Sequence, residues 1–347
     1  MGDVKMENRL RVVLVGCGGM SGTWLRVATQ MDSIELVGLV DIREEAARNK
    51  AKEYGLHDAI ISTDLKAVLN ETFPDIVFDC TVPEAHALVT LEALQHGCHV
   101  LGEKPMADSM ENARRVVAAA EEAGKLYAVI QNRRYDGRIR RLRNFLASEA
   151  IGPVTTVNCD FYIGAHFGGF RDQMEHVLLL DMAIHTFDAA RFITGADPVS
   201  VYCKEWNPSG SWYDHDASAV AVFEMTGGIV YTYRGSWCAE GLNTSWESEW
   251  RIIGEKGSVK WNGGDGFEAQ VVAETGGFHS KWEDVEIPPY EESGKTGGHS
   301  GLIHEFVHCV QTDGIPETIC TDNIKSLAMV FGAIESGQSG KCVEIQW

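Results

Sequence analysis

The apolar run Leu10–Val15 passes without a spacer into Gly16-Cys17-Gly18-Gly19-Met20-Ser21-Gly22, and a helix-length segment follows. Strand, glycine turn and helix in that order commit the start of the chain to a β-α unit. In such a unit Gly16 permits the tight turn, and Gly18 lets the backbone approach a phosphate at the helix N-terminus. Gly19 and Met20 complete the loop, and the third position of the G-x-G-x-x-G pattern is Ser21, a compact departure. Glycines also make ordinary turns, so the pattern takes its weight from its setting. That setting includes Asp41, with Ile42 beside it, closing the run Ile34–Val40 about 20 residues past the glycines. A carboxylate there accepts hydrogen bonds from the adenosine ribose and repels a 2′-phosphate, which selects NAD over NADP. Arg43 has two readings: a solvated first-turn residue beside Glu44 and Glu45, or a partner for that phosphate.

The alternation continues to about residue 132. Runs at 10–15, 34–40, 59–61, 76–80, 99–101 and 126–130 are rich in Val, Ile and Leu, as strands buried on both faces must be. Helix-length segments at 43–54, 84–96 and 109–123 lie between them. Repeated β-α predicts a parallel sheet with helices on both sides, a Rossmann domain over 1–132. From 133 the character changes. Runs at 154–162, 217–225, 229–233 and 250–253 carry more aromatics, with glycine turns at 226–228 and 254–257. They predict a second α/β domain over 133–347 on a large, mostly antiparallel open sheet, with helices near 177–194, 300–312 and 322–336.

Charge narrows the partners. The 347 residues carry a formal net charge of −20, which repels nucleic-acid backbones and anionic membrane surfaces, so neither is expected to bind. A neutral polyol suits that charge better than a polyanion. Nine cysteines without a C-x-x-C pair, among them Cys17, Cys80, Cys98 and Cys159, read as buried reduced thiols. Segment 1–11 has two acids and no apolar run, so no secretory signal is expected there. No stretch approaches the roughly 20 apolar residues of a membrane span, and the expected location is cytoplasmic.

Two segments carry candidate chemistry. Gly102-Glu103-Lys104-Pro105 ends the fifth strand, at the carboxyl edge where ligands of parallel sheets bind. Proline holds Lys104 extended, and its ammonium there is either an alkoxide stabiliser or an ordinary surface charge. In Leu180-Asp181-Met182-Ala183-Ile184-His185-Thr186-Phe187-Asp188, the spacing puts Asp181, His185 and Asp188 on one face of a helix apolar almost all round. Such a stripe needs internal partners or a polar ligand. His185 is suited to take a hydroxyl proton at neutral pH, and a structural His–Asp pair is the other reading.

Together these residues resemble the glucose–fructose oxidoreductase/inositol dehydrogenase (Gfo/Idh/MocA) family. The likeness rests on the glycine pattern, Thr81-Val82-Pro83 with His86, Glu103-Lys104-Pro105 and Asp181-x-x-x-His185. It extends through 131–135, 254–259 and 333–343. The resemblance implies that Lys104 stabilises an alkoxide, His185 acts as acid and base, and Asp181 orients Lys104 or a substrate hydroxyl. It places Thr81, Val82, Pro83 and His86 along the cofactor riboses, Glu103 and Lys104 at the nicotinamide ribose, and Arg171 against the cofactor from the second domain. Two departures bear on specificity: His176-Val177-Leu178 replaces a glycine-rich approach to Asp181, and Ala183 replaces a glycine.

His304-Glu305-Phe306-Val307-His308 matches the H-E-x-x-H zinc pattern, with His299 near enough to be a third ligand. The resemblance makes it an ordinary helix, and no metal is expected. Of the aromatics, Trp206, Trp212, Tyr213, Trp246 and Trp250 are assigned to core or interface. Trp237, Asn132, Arg133 and His166 are assigned to the substrate pocket. A homodimer or homotetramer through the C-terminal sheet is expected. The expected activity is hydride transfer between NAD and a ring hydroxyl of a sugar or cyclitol. A redox-neutral lyase, epimerase or glycosidase retaining NAD would use the same residues. A cofactor-sensing binding protein would not need Lys104, Asp181 and His185 together.

Overall fold

The computed structural model describes residues 9–290 and 294–347; segments 1–8 and 291–293, and with the first of them most of the segment 1–11 considered above, lie outside the described residues. The chain runs β1 Leu10–Val15, α1 Ser21–Ala28, β2 Ile34–Val40, α2 Glu44–Glu53, β3 Ile60–Ser62, α3 Leu65–Thr72, β4 Ile76–Asp79, α4 Pro83–Gln95, β5 His99–Gly102, α5 Met110–Ala123 and β6 Tyr127–Val129. The strands fall within one residue of the expected runs. They pair in parallel in the order β3-β2-β1-β4-β5-β6, with the order reversing between β1 and β4. That reversal is where such sheets bind nucleotides. Local chemistry sets the helix starts. Asp64 and Ser109 cap α3 and α5 through the amides of Ala67 and Asn112, and Pro83 opens α4, where a missing N–H costs nothing.

A second sheet follows. Its elements are α6 Gly137–Ala147, β7 Val154–Tyr162, α7 Ile184–Thr194, β8 Pro198–Trp206, β9 Ser218–Met225, β10 Val230–Ser236, β11 Glu249–Gly254, β12 Gly257–Trp261, β13 Phe267–Glu274 and β14 Lys281–Asp284. The chain closes with α8 His299–Thr312, α9 Cys320–Ser339 and β15 Val343–Glu344. The nine strands run β14-β13-β12-β11-β7-β10-β9-β8-β15; β10 pairs in parallel with β7, and the other pairings are antiparallel. Phe187 packs edge-on against Phe223 and Tyr233, with centroids 4.9 and 5.2 Å away, which seats α7 on the buried face.

Two features depart from expectation. The expected break after residue 132 coincides with the boundary between two compact units, but the chain does not stay in the second. One unit is Met1–Asn132 with Gly294–Ile324; the other is Arg133–Ser293 with Lys325–Trp347. The returning segment covers the free edge of the first sheet. Val129 donates its amide to the Thr318 carbonyl at 3.1 Å, and Ala128 bridges to Ile319. The second departure is local to the expected helix 177–194. Its first turns, Leu178–Ala183, are π-helical, and α7 begins only at Ile184.

Cys17, Cys80, Cys98 and Cys159 are buried and free, and burial pushes the Cys17 thiol up to about 12. Among the described residues no helix is long and apolar enough to cross a membrane.

Candidate active site

In the first unit the glycine loop is shaped by what stands beside it. Gly16 has φ +88°, and a Cβ there would lie 2.6 Å from the carbonyl carbon and oxygen of Cys80. Only glycine lets β1 and β4 come this close. At Gly18 and Gly19 a Cβ would meet nothing within 4 Å, so the backbone faces open space. Ser21 donates its hydroxyl to the Gly18 carbonyl at 2.6 Å and closes the turn into α1. The Asp41 carboxylate accepts the Cys17 and Arg43 amides, both at 2.8 Å, and so ties the loop to the end of β2. Arg43 extends its guanidinium into solvent, 4.0 Å from Asp41 at its nearest nitrogen. Exposed Met20, Ile42 and Val82, the second of them 92% exposed, stand on the loops after β1, β2 and β4. A glycine cradle, a carboxylate and apolar side chains for a base suit a dinucleotide.

Beneath that surface lies a network absent from the sequence reading. Asp79 accepts the Thr81 amide at 3.0 Å and its hydroxyl at 2.6 Å, while its other oxygen meets His86 Nδ1 at 2.9 Å. His86 is only 1% exposed, so it supports the Thr81-Val82-Pro83 turn from below rather than lining its surface. Burial pushes its imidazole down, but the Asp79 carboxylate outweighs that and raises it.

Lys104 is the half-exposed residue in an otherwise buried stretch, 100–107, and its peptide bond to Pro105 is cis. Glu103 is fixed by Trp24, whose indole N–H donates to Oε1 at 2.7 Å. The Lys104 amide reaches the other Glu103 oxygen at 3.3 Å. His299, at the start of α8, brings Nε2 to 3.9 Å from Glu103 Oε1. Burial holds its imidazole below the usual range; Glu103 opposes that and Lys104 adds to it. Trp24 and the position of His299 beside Glu103 were not read from sequence, because both arise from contacts across the sheet edge.

The second unit carries Asp181 and His185. From Val177 to Ile193 every residue is buried except Leu180, Asp181 and His185. The expected three-residue polar stripe is therefore shorter: Asp188 lies on the buried side. There it accepts both nitrogens of a bidentate Arg134 pair, at 2.7 and 2.6 Å, and the Ser326 hydroxyl at 2.7 Å. Asp181 receives Arg171 Nε at 2.6 Å, and the Arg171 guanidinium lies 5.0 and 4.8 Å over the Phe167 and Phe170 rings. His176 starts the helix in the left-handed region (φ +52°), and its carbonyl accepts the Leu180 amide at 3.0 Å.

The residues assigned to a substrate pocket separate. Arg133 is buried, with Nε 3.3 Å from Glu247 and a guanidinium nitrogen 3.5 Å from the Met182 sulfur, which makes it a core ion pair. Asn132 ends the first of the two stretches that make up its unit, half-buried after β6. His166 is exposed, bonded to Glu240 at 2.8 Å and stacked on Trp212 at 3.6 Å. Trp237 is buried behind Phe167, so Phe167 and Trp246 present the aromatic surface in its place.

The H-E-x-x-H helix is α8. His304 and His308 point outward, while Glu305 turns inward to Lys295 at 2.8 Å. Among the described residues no group of three His, Cys, Asp or Glu is arranged to hold a metal.

Comparison with known proteins bears on both units. Residues 10–131 match the model of an oxidoreductase family with an NAD-binding Rossmann fold, and 139–260 match the GFO/IDH/MocA C-terminal domain. The protein y4oX of Sinorhizobium fredii is 30% identical over 352 aligned positions, 97% of this chain and 96% of that one. Inositol 2-dehydrogenase 4 of Saccharopolyspora erythraea is 27% identical, covering 85% of this chain and 89% of its own. An Agrobacterium radiobacter oxidoreductase, solved with NAD+, L-tartaric acid and magnesium, shares the fold at TM-score 0.83 and 20% identity, over 97% of this chain and 98% of that one.

Proposed function

This chain belongs to the Gfo/Idh/MocA family of NAD-binding oxidoreductases, and from that premise we propose that it oxidises a secondary ring hydroxyl of a sugar or cyclitol. Bound NAD supplies the hydride acceptor. The glycine loop and Asp41 hold its adenosine end, with Met20, Ile42 and Val82 against the base. His185 takes the hydroxyl proton, and the Lys104 ammonium stabilises the charge that builds on oxygen as hydride leaves carbon. Asp181, held by Arg171, accepts a neighbouring hydroxyl and fixes which carbon is presented.

The observation that carries this reading is the pattern of exposure over 177–193. A segment buried elsewhere leaves Leu180, Asp181 and His185 open, and burying one apolar and two polar groups together calls for a ligand with hydroxyls and a C–H face. The inositol dehydrogenase among the relatives acts on a ligand of that kind. We further assign the open face of the nine-stranded sheet, with exposed Tyr202, Val222, Val230 and Ile253, to a homodimer or homotetramer contact.

A panel of sugars and cyclitols, assayed with NAD by NADH absorbance, tests the reading. NADH formed with at least one of them is the expected result. Conversion of a sugar without net NADH would favour the redox-neutral alternative, and no conversion of any would remove both.

A further inference from the structure

The loops after β7 and β10 expose aromatic rings beside the Asp181 pair. Phe167, Phe170 and Trp246 are 46%, 67% and 49% exposed. Phe167 and Trp246 belong to one cluster, which Phe170 joins through the Arg171 guanidinium that lies over both phenylalanine rings. The Phe167 centroid lies 6.4 Å from Trp246 and 5.6 Å from Trp237, and Phe161 lies 6.0 Å from Trp237 and 6.4 Å from Trp246. Phe161 and Trp237 are buried, so Phe167 and Trp246 are backed by packed rings and hold a fixed surface.

Arg171 connects that surface to the polar site. Its guanidinium sits over Phe167 and Phe170 and its Nε donates to Asp181. The aromatic wall therefore begins one guanidinium beyond the carboxylate. A lone sugar or cyclitol ring held at Asp181 and His185 is separated from the aromatic rings by the Arg171 guanidinium and leaves them uncovered. Large apolar rings left in water beside a polar site are a binding surface for something that extends past it.

We propose that Phe167, Phe170 and Trp246 form a subsite for a second ring joined to the sugar held at Asp181, so that the preferred substrates are glycosides. This rests on the dehydrogenase reading for the first ring. The shared chemistry of the second ring is a flat or C–H-lined face that packs on aromatic rings; a phenyl aglycone and a second pyranose both present one.

The test is calorimetric binding to the NADH-saturated protein of phenyl β-D-glucoside, a β-linked glucose disaccharide and methyl β-D-glucoside. Covering an exposed phenylalanine ring supplies about tenfold in affinity. One of the two-ring ligands is expected to bind about tenfold tighter than the methyl glycoside, and which one does so identifies the second ring. Phe170→Ala and Trp246→Ala, at exposed positions, are each expected to cut that ratio by about three- to tenfold. Equal affinities for the three ligands, no binding of any, or a ratio that survives both substitutions would overturn the subsite. Turnover assayed in parallel keeps the two claims apart. Discrimination that depends on both aromatic residues, without NADH from any sugar, would support the subsite and sink the dehydrogenase reading.

Discussion

Arg171 Nε donates to Asp181 Oδ2 across 2.6 Å, joining the loop after β7 to the one half-exposed carboxylate of an otherwise buried helix. The resemblance had assigned Arg171 to the cofactor, whereas here its Nε is engaged in positioning Asp181. Arg171→Met keeps the length and loses the charge-assisted bond, a loss of about 10- to 100-fold in kcat/KM. Arg171→Lys should recover part of it, because a point charge replaces a directed donor. Arg171 is a third exposed but Asp181 only 12%, so the melting temperature of the methionine variant should fall by about 2–4 °C. A large loss of stability in the methionine variant, with activity lost in proportion, would make the pair structural instead.

The glycine loop separates fold from binding at two positions two residues apart. Gly16→Ala puts a Cβ against the Cys80 carbonyl at positive φ and should cost about 1–3 kcal/mol in denaturant unfolding. Gly18→Ala adds a methyl group in open space, so stability should stay within about 0.5 kcal/mol. NAD binding by that variant should weaken by about tenfold or more, because the backbone no longer comes within hydrogen-bonding reach of phosphate. Unchanged NAD affinity in Gly18→Ala would place the pyrophosphate elsewhere.

Asp41 is already held by two amides, and Arg43 is left in solvent. NAD should therefore bind at least about tenfold tighter than NADP, and Asp41→Ala should narrow the gap. Equal calorimetric affinities in the unaltered protein would leave Arg43 as the deciding group.

A pH dependence follows from His176. Its Nδ1 lies 2.7 Å from Glu205 Oε2, and that hydrogen bond raises the imidazole above its usual range. Burial raises Glu205 as well. The other charged groups acting on His176, Glu175 and Asp216, are acids and act in the same direction, while α9 contributes Gln338. A raised histidine stabilises the fold fully below its unfolded value, near about 6.5, and the gain is lost as pH rises through the folded value. Unfolding free energy should thus fall with rising pH above neutrality, and His176→Asn should flatten that slope. Identical slopes in urea titrations of the two proteins would show that the pair is not coupled to folding.

Much of this was legible in the chain because it is local. The β-α alternation, the glycine loop, Asp41 and the Lys104 strand end depend on residues within a few positions of one another. What escaped is set by distant partners. The return of 294–324 answers a bare edge at β6, which no run of residues around 318 announces. Arg133 reads as a pocket residue, and Asp188 as a member of the polar stripe, because ion pairs with Glu247 and Arg134 are invisible in one dimension. His86 carries the residue type of a ligand-lining group, and only its burial beside Asp79 shows that it supports the turn. The π-helical turn likewise rotates Asp188 off the stripe that a regular helix would give it.

If Lys104 and His185 carry the chemistry, single-turnover NADH formation falls in Lys104→Met and His185→Ala while the fold stays intact. With the sugar that the panel identifies, the expected losses are about 10²–10⁴ for His185→Ala and about 10²–10³ for Lys104→Met. Melting temperature of both variants, and calorimetric NAD affinity of His185→Ala, measured on the same samples, should stay close to the unaltered protein. Near-normal NADH formation in both folded variants would show that neither residue carries the chemistry.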